Sequence, residues 1–220
     1  MKKIDIENFK LFLIKNINTN TSKNNILSII KDRICHHRVR FLNILINYFK
    51  GDVLNYLEIG VHNGCSMGYV LQSDYKINNC YGIDLFENTF YKDKLNKNKI
   101  YSRLNQLNKN KNNIHLIKGN SCDKKIIEHI SDKVYDLIFI DGDHRYEGVK
   151  KDFYNYYELL SDNGIMVFDD YNLATNNSGV YKFISEELLN NKKYFRGYYK
   201  FYDNTHKNSK YKDGIIMFYK

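Results

Sequence analysis

Two short apolar runs in this 220-residue chain end directly on clusters of acids. Tyr135-Asp136-Leu137-Ile138-Phe139-Ile140 leads into Asp141-Gly142-Asp143-His144-Arg145-Tyr146-Glu147-Gly148, and Gly164-Ile165-Met166-Val167-Phe168 leads into Asp169-Asp170. Apolar runs this short, bounded by turn residues, read as buried strands of a parallel sheet. In open α/β sheets, ligands sit just beyond the carboxyl ends of the strands. Asp141, Asp143, His144, Asp169 and Asp170 are therefore expected to converge on one crevice. So many carboxylates repel one another unless positive charge lies between them, and a divalent metal ion is the simplest source of it.

The rest of the chain fits the same plan. Residues 5–50 read as helical, with Val39, Leu42, Ile46 and Phe49 at helical spacing, Leu45 beside them, and Gly51 as a stop. From residue 53 onward, short apolar runs alternate with longer amphipathic ones, which is the pattern of a parallel α/β sheet. Strands are expected at 55–59, 80–83, 114–117, 135–140 and 165–168, with two more at 198–202 and 215–219. The polar stretch 203–209 reads as a hairpin loop, so the last two strands are expected to pair antiparallel. Residues 96–113, biased to Lys and Asn, read as a mobile surface segment. In the helix expected over 146–160, Phe153, Tyr156, Tyr157 and Leu160 read as core.

Composition narrows the function classes. A hydrophobic content of 43% supports a sizeable core, and the length suits one α/β domain, 53–220, with a helical extension over 1–50. The net charge of +9 comes with no Pro and abundant Lys and Asn, which reads as AT-rich coding more than as a nucleic-acid surface. The four cysteines, Cys35, Cys65, Cys80 and Cys122, lack zinc-site spacing and suggest no disulfide framework. The N-terminus lacks a signal-type apolar core, and no run is long enough to span a bilayer. A reduced, cytoplasmic setting follows as the expectation. His36-His37 lies in a helical stretch where adjacent side chains face different ways, which argues against a shared metal.

Three further motifs sit at strand ends. In Tyr56-Leu57-Glu58-Ile59-Gly60-Val61-His62-Asn63-Gly64, an acid near a strand end precedes two glycines that open a helix. Glycine serves where backbone approaches a ligand or takes positive φ, and the helix adds a positive dipole end. Asp84 ends the next strand and can accept both ribose hydroxyls of a nucleoside, or else cap a helix. Asn120 and Ser121 follow the third strand, where they suit either an amino-purine edge or the cap of the helix over 124–130.

The E-x-G-x-x-x-G pattern resembles the first motif of class I S-adenosylmethionine-dependent methyltransferases. The whole set, Glu58 to Asp170, resembles the metal-dependent O-methyltransferases that act on sugars of macrolides and aminocoumarins, within a wider group that includes the caffeoyl-CoA and catechol enzymes. The resemblance covers residues 54–171. It implies a Rossmann-like fold: a seven-stranded, mostly parallel sheet with an antiparallel C-terminal strand and helices on both faces. It implies S-adenosyl-L-methionine held by Glu58, Gly60, Gly64, Asp84, Asn120, Ser121 and Asp141. It implies Mg2+ or Mn2+ held by Asp141, Asp169 and Asp170. By position, His144 matches the base of the macrolide-sugar relatives and Asp143 the acid of the aminocoumarin-sugar ones; His144 could instead only orient a metal ligand.

The expected activity is O-methylation of a sugar hydroxyl on a nucleotide-sugar, glycan or glycoside, with 171–180 and the N-terminal helices around the substrate. The expected partner is a small molecule, with no membrane and no nucleic acid; a homo-oligomer stays open. The competing readings are methylation of RNA, which needs a continuous basic face beside the crevice, of another small-molecule hydroxyl, or an inactive cofactor-binding module.

Overall fold

The structure is a computed structural model that describes residues 1–16, 39–87, 95–171, 178–202 and 214–220. Its strands are β1 (Asn55–Ile59), β2 (Asn79–Asp84), β3 (Asn113–Lys118), β4 (Tyr135–Ile140), β5 (Leu160–Phe168), β6 (Gly197–Tyr202) and β7 (Gly214–Tyr219). They form one sheet in the order β3-β2-β1-β4-β5-β7-β6. β1 to β5 are mutually parallel, and β7 runs antiparallel to both β5 and β6, as the sequence pattern predicts. The chain winds from β1 outward to β3, then restarts at β4 on the other side of β1. The β1/β4 boundary is thus the topological switch point, beyond whose strand ends ligands bind in open α/β sheets.

The helices are α1 (Ile6–Asn16), α2 (Arg40–Phe49), α3 (Cys65–Leu71), α4 (Lys97–Leu107), α5 (Lys124–Ile130), α6 (Tyr146–Tyr156) and α7 (Gly179–Phe183). Strand side chains alternate between faces, so each strand feeds two cores. Tyr56, Leu137, Phe139, Ile165 and Val167 pack with α1, α2, α3 and α4 on one face. Leu57, Ile59, Ile138, Ile140 and Phe168 pack with α5, α6 and α7 on the other. The helical positions expected in the core, Val39, Leu42, Leu45, Ile46 and Phe49, are all buried.

Two expectations are corrected. Residues 96–113 are not a mobile surface segment: Asn96 caps α4 by accepting a hydrogen bond from the Lys99 backbone N–H (3.0 Å), and Ile100, Leu104 and Leu107 are buried. Three apolar residues at helical spacing outweigh the Lys/Asn bias around them. Cys65 is disulfide-bonded, against the expectation drawn from cysteine spacing, whereas Cys80 and Cys122 are free thiols. Spacing along a chain does not decide which thiols a fold oxidises. Cys35, His36-His37, the hairpin loop at 203–209 and most of 171–180 lie outside the described residues. Among the described residues, no helix is long and apolar enough to cross a membrane.

Phe153 centres the second core. It is fully buried and its ring lies 5.0–6.5 Å from those of Tyr154, Tyr157, Phe168, Phe183, Tyr194 and Phe195. Phe153→Ala is expected to destabilise the fold by about 3–5 kcal/mol. Urea unfolding measures it, and a loss below about 1 kcal/mol would mean the site collapses around the cavity.

Candidate active site

Backbone hydrogen bonds carry the parallel ladder one residue past the strand ends. The Gly60 N–H donates to the Ile83 carbonyl (2.9 Å), the Asp141 N–H to Ile59 (2.8 Å) and the Asp169 N–H to Ile140 (3.1 Å). The loops after β1, β4 and β5 therefore leave the sheet side by side. Gly60 has φ +91°, and a Cβ there would overlap the Asp141 carbonyl oxygen. Both facts demand glycine. Gly64, at φ +88°, caps α3.

Asp84 ties this loop to β2. One of its oxygens accepts from the His62 N–H (2.7 Å) and the other from the Phe86 N–H (2.6 Å). Each oxygen of an ionised carboxylate has two acceptor sites, so capacity remains for ribose hydroxyls. Glu58 sits beneath the loop, fully buried, accepting from the Tyr56 hydroxyl (2.7 Å) and from Ser66 on α3. Burial pushes its carboxyl up to about 8, more than these two hydrogen bonds lower it. Its contacts brace the loop from below.

Across the switch point, Asp141, His144 and Asp170 bring ligand atoms within 4.8 Å of one another. His144 lies between the two acids, with Nε2 3.2 Å from Asp141 and Nδ1 2.9 Å from Asp170. These hydrogen bonds push the imidazole up to about 11, so it is a cation at neutral pH in this arrangement. Burial and the negative charge of Asp169 push Asp141 up to about 7. Asp169 is 3% exposed and lies outside the Asp141–His144–Asp170 trio. Asp170 takes positive φ (+53°), a conformation non-glycine residues adopt at a cost and often at functional sites. Asp143 turns away to Arg145, in a pair bonded through both oxygens at 2.6–3.0 Å. That pair holds its carboxyl below the usual range.

The donor set fits a divalent cation. Positive charge is already drawn between Asp141 and Asp170, supplied here by the His144 imidazolium. Two carboxylates and an imidazole suit manganese or iron, and the carboxylates alone suit magnesium. After β3, Asn120 accepts from the Cys122 N–H (2.9 Å), and the Ser121 hydroxyl donates to Asp152 on α6 (2.6 Å). The Tyr156 hydroxyl donates to the Ser121 carbonyl (2.6 Å). Sequence reasoning missed Asp152 and the bracing role of Tyr56 and Ser66. The signal for Asp152 was present: it is a polar residue on the buried face of an amphipathic helix, beside Val149, Phe153 and Tyr156.

Residues 57–171 match the family model described as "Methyltransferase domain". The uncharacterized protein R132 of Acanthamoeba polyphaga mimivirus is 37% identical over 142 residues, or 63% of this chain. The match spans 61% of the length of that viral relative. The O-methyltransferase TomG of Streptomyces achromogenes, solved with S-adenosylmethionine, superposes with a TM-score of 0.64 at 12% identity, covering 97% of this chain and 96% of TomG. The O-methyltransferase of Bacillus cereus, solved with S-adenosylhomocysteine, gives a TM-score of 0.60 at 15% identity, covering 98% of this chain and 99% of that one. At these identities the likeness is one of fold.

Glu58 generates a prediction. An acid raised in the folded state stabilises it at low pH and loses that contribution as pH climbs from the unfolded carboxyl value, about 4.3, to about 8. Glu58→Gln should therefore flatten this part of the stability profile, gaining on the parent by at most about 1.4 kcal/mol per pH unit across that window. Urea unfolding of both proteins between pH 5 and 9 measures it, and parallel profiles would show that Glu58 titrates normally.

Proposed function

The chain belongs to the methyltransferase-domain family, and we propose that it is an S-adenosylmethionine-dependent O-methyltransferase whose acceptor is a sugar hydroxyl bound at a divalent cation. One observation carries the proposal: the Asp141–His144–Asp170 trio stands at the switch point beside the Gly60–Gly64 loop and Asp84. The likeness to two O-methyltransferases solved with this methyl donor or its product supports the cofactor.

S-adenosylmethionine would supply a sulfonium methyl group, transferred in line to an oxygen nucleophile with S-adenosylhomocysteine as the thioether leaving group. A divalent cation supplies Lewis acidity that lowers the pKa of a bound hydroxyl. Asp141 and Asp170 would hold the cation, with Asp169 adding negative charge that acts on Asp141. Gly60 and Gly64 shape the donor's loop, Asp84 accepts from its ribose, and Asn120 and Ser121 line its base. His144 takes the hydroxyl proton once the charge on Asp141 and Asp170 is neutralised, because its imidazole then returns toward its ordinary value near 6.5. Asp143, locked to Arg145 and held low, is a poor base.

Asp84→Ala should weaken S-adenosylhomocysteine binding by about 10- to 100-fold, the loss of hydrogen bonds to a charged acceptor. Calorimetry decides it, and unchanged affinity removes Asp84 from the donor site. With sugar and nucleotide-sugar acceptors, turnover should vanish with EDTA and in Asp170→Asn. His144→Ala should lower kcat by about 10²- to 10⁴-fold, while Asp143→Asn stays active. Full activity in EDTA, or with non-sugar hydroxyls alone, would contradict the cation or the sugar respectively.

A further inference from the structure

Asp152 is an ionisable group that the chemistry above leaves unused. It projects from α6 into the protein and is 1% exposed. Its Oδ1 accepts the Ser121 hydroxyl at 2.6 Å, with the Cys122 sulfur 4.0 Å away. Its Oδ2 is buried without a hydrogen-bond partner, and a Cβ on Gly142 would stand 3.1 Å from it. Tyr156, one turn further along α6, fixes the Ser121 carbonyl at 2.6 Å. α6 therefore grips the loop after β3 at two points and reaches beneath the loop after β4.

The grip has a chemical consequence. A serine hydroxyl has a single proton to donate. Burial raises Asp152 only to about 6, so at neutral pH it is a carboxylate that accepts and cannot donate. The Ser121 proton is therefore committed inward. To any group that meets it from its exposed side, half-buried Ser121 therefore offers lone pairs alone.

We propose that Asp152 is a specificity-positioning residue: by holding the Ser121 proton, it turns that hydroxyl into a pure acceptor that selects an amino purine over a keto purine. The proposal rests on the methyl-donor reading, which places a purine beside Asn120 and Ser121. Adenine presents an exocyclic N–H donor to such an acceptor. Hypoxanthine presents a carbonyl oxygen, which meets lone pairs with lone pairs. A site built to pair one polar group rejects the analogue that leaves it unpaired. Without Asp152 the hydroxyl rotates freely and serves donor and acceptor alike.

The test is calorimetry on the full chain with S-adenosylhomocysteine and its deaminated analogue, S-inosylhomocysteine. The unsubstituted protein should prefer the adenine ligand by about tenfold or more, the value of one matched hydrogen bond. Asp152→Ala and Ser121→Ala should each bring that ratio close to one, and the double variant should lower it no further. A purely structural role for Asp152 would weaken both ligands alike and leave the ratio standing, which would overturn the proposal. So would equal binding of both ligands by the unsubstituted protein, with the methyl-donor reading left intact. Binding of neither ligand would remove that reading and the proposal with it. If Asp152→Ala does not fold, Ser121→Ala decides alone, and an unchanged ratio in it is fatal.

Discussion

The organisation of this protein depends on the parallel hydrogen-bond ladder continuing one residue beyond its strands. Gly60 on Ile83, Asp141 on Ile59 and Asp169 on Ile140 are each held by a backbone bond of 2.8–3.1 Å. Backbone pairing thus fixes where the acidic side chains begin, before any of them makes a contact of its own. The close approach of Gly60 to the Asp141 carbonyl joins the two halves of the crevice, because no side chain fits between them. The proposed donor loop and the proposed cation site are therefore one rigid unit.

Charge is the second constraint. Asp141, Asp169 and Asp170 lie at neighbouring strand ends, with Asp169 buried and the other two half-buried, and such a group favours whatever cation it can recruit. In this structure the recruit is His144. In the proposed mechanism, Asp141 and Asp170 would hold a cation that neutralises their charge, and His144, no longer needed to do so, would keep a lone pair for the acceptor's proton. Asp143 takes no part in this exchange because Arg145 already neutralises it.

Much of this was legible in the sequence, for definite reasons. β1 and β4 span 55–59 and 135–140 as the sequence pattern places them, because strands buried on both faces keep most positions apolar and their acids, Glu58 and Asp136, buried. β5 extends back to Leu160, five residues before the apolar run, because Ser161, Asp162 and Asn163 are polar but still continue the strand. α4 was hidden by composition, with its three buried residues scattered among Lys and Asn. Within the site, the acids at strand ends were readable from position alone. The central place of His144 between Asp141 and Asp170 was not, since it depends on a loop geometry that brings positions 141 and 170 together. Asp152 escaped notice because its helix reads as core, and a lone acid on a buried face declares its partner only in three dimensions.

The central claim is that the strand-end carboxylates form a cation site. Electron paramagnetic resonance of free Mn2+, titrated with the full chain at neutral pH, measures this directly. The account predicts one site per chain, lost in Asp141→Asn and in Asp170→Asn while both variants keep the parent's thermal unfolding. Mn2+ uptake that is absent from the parent protein, or unchanged in both variants, would contradict it.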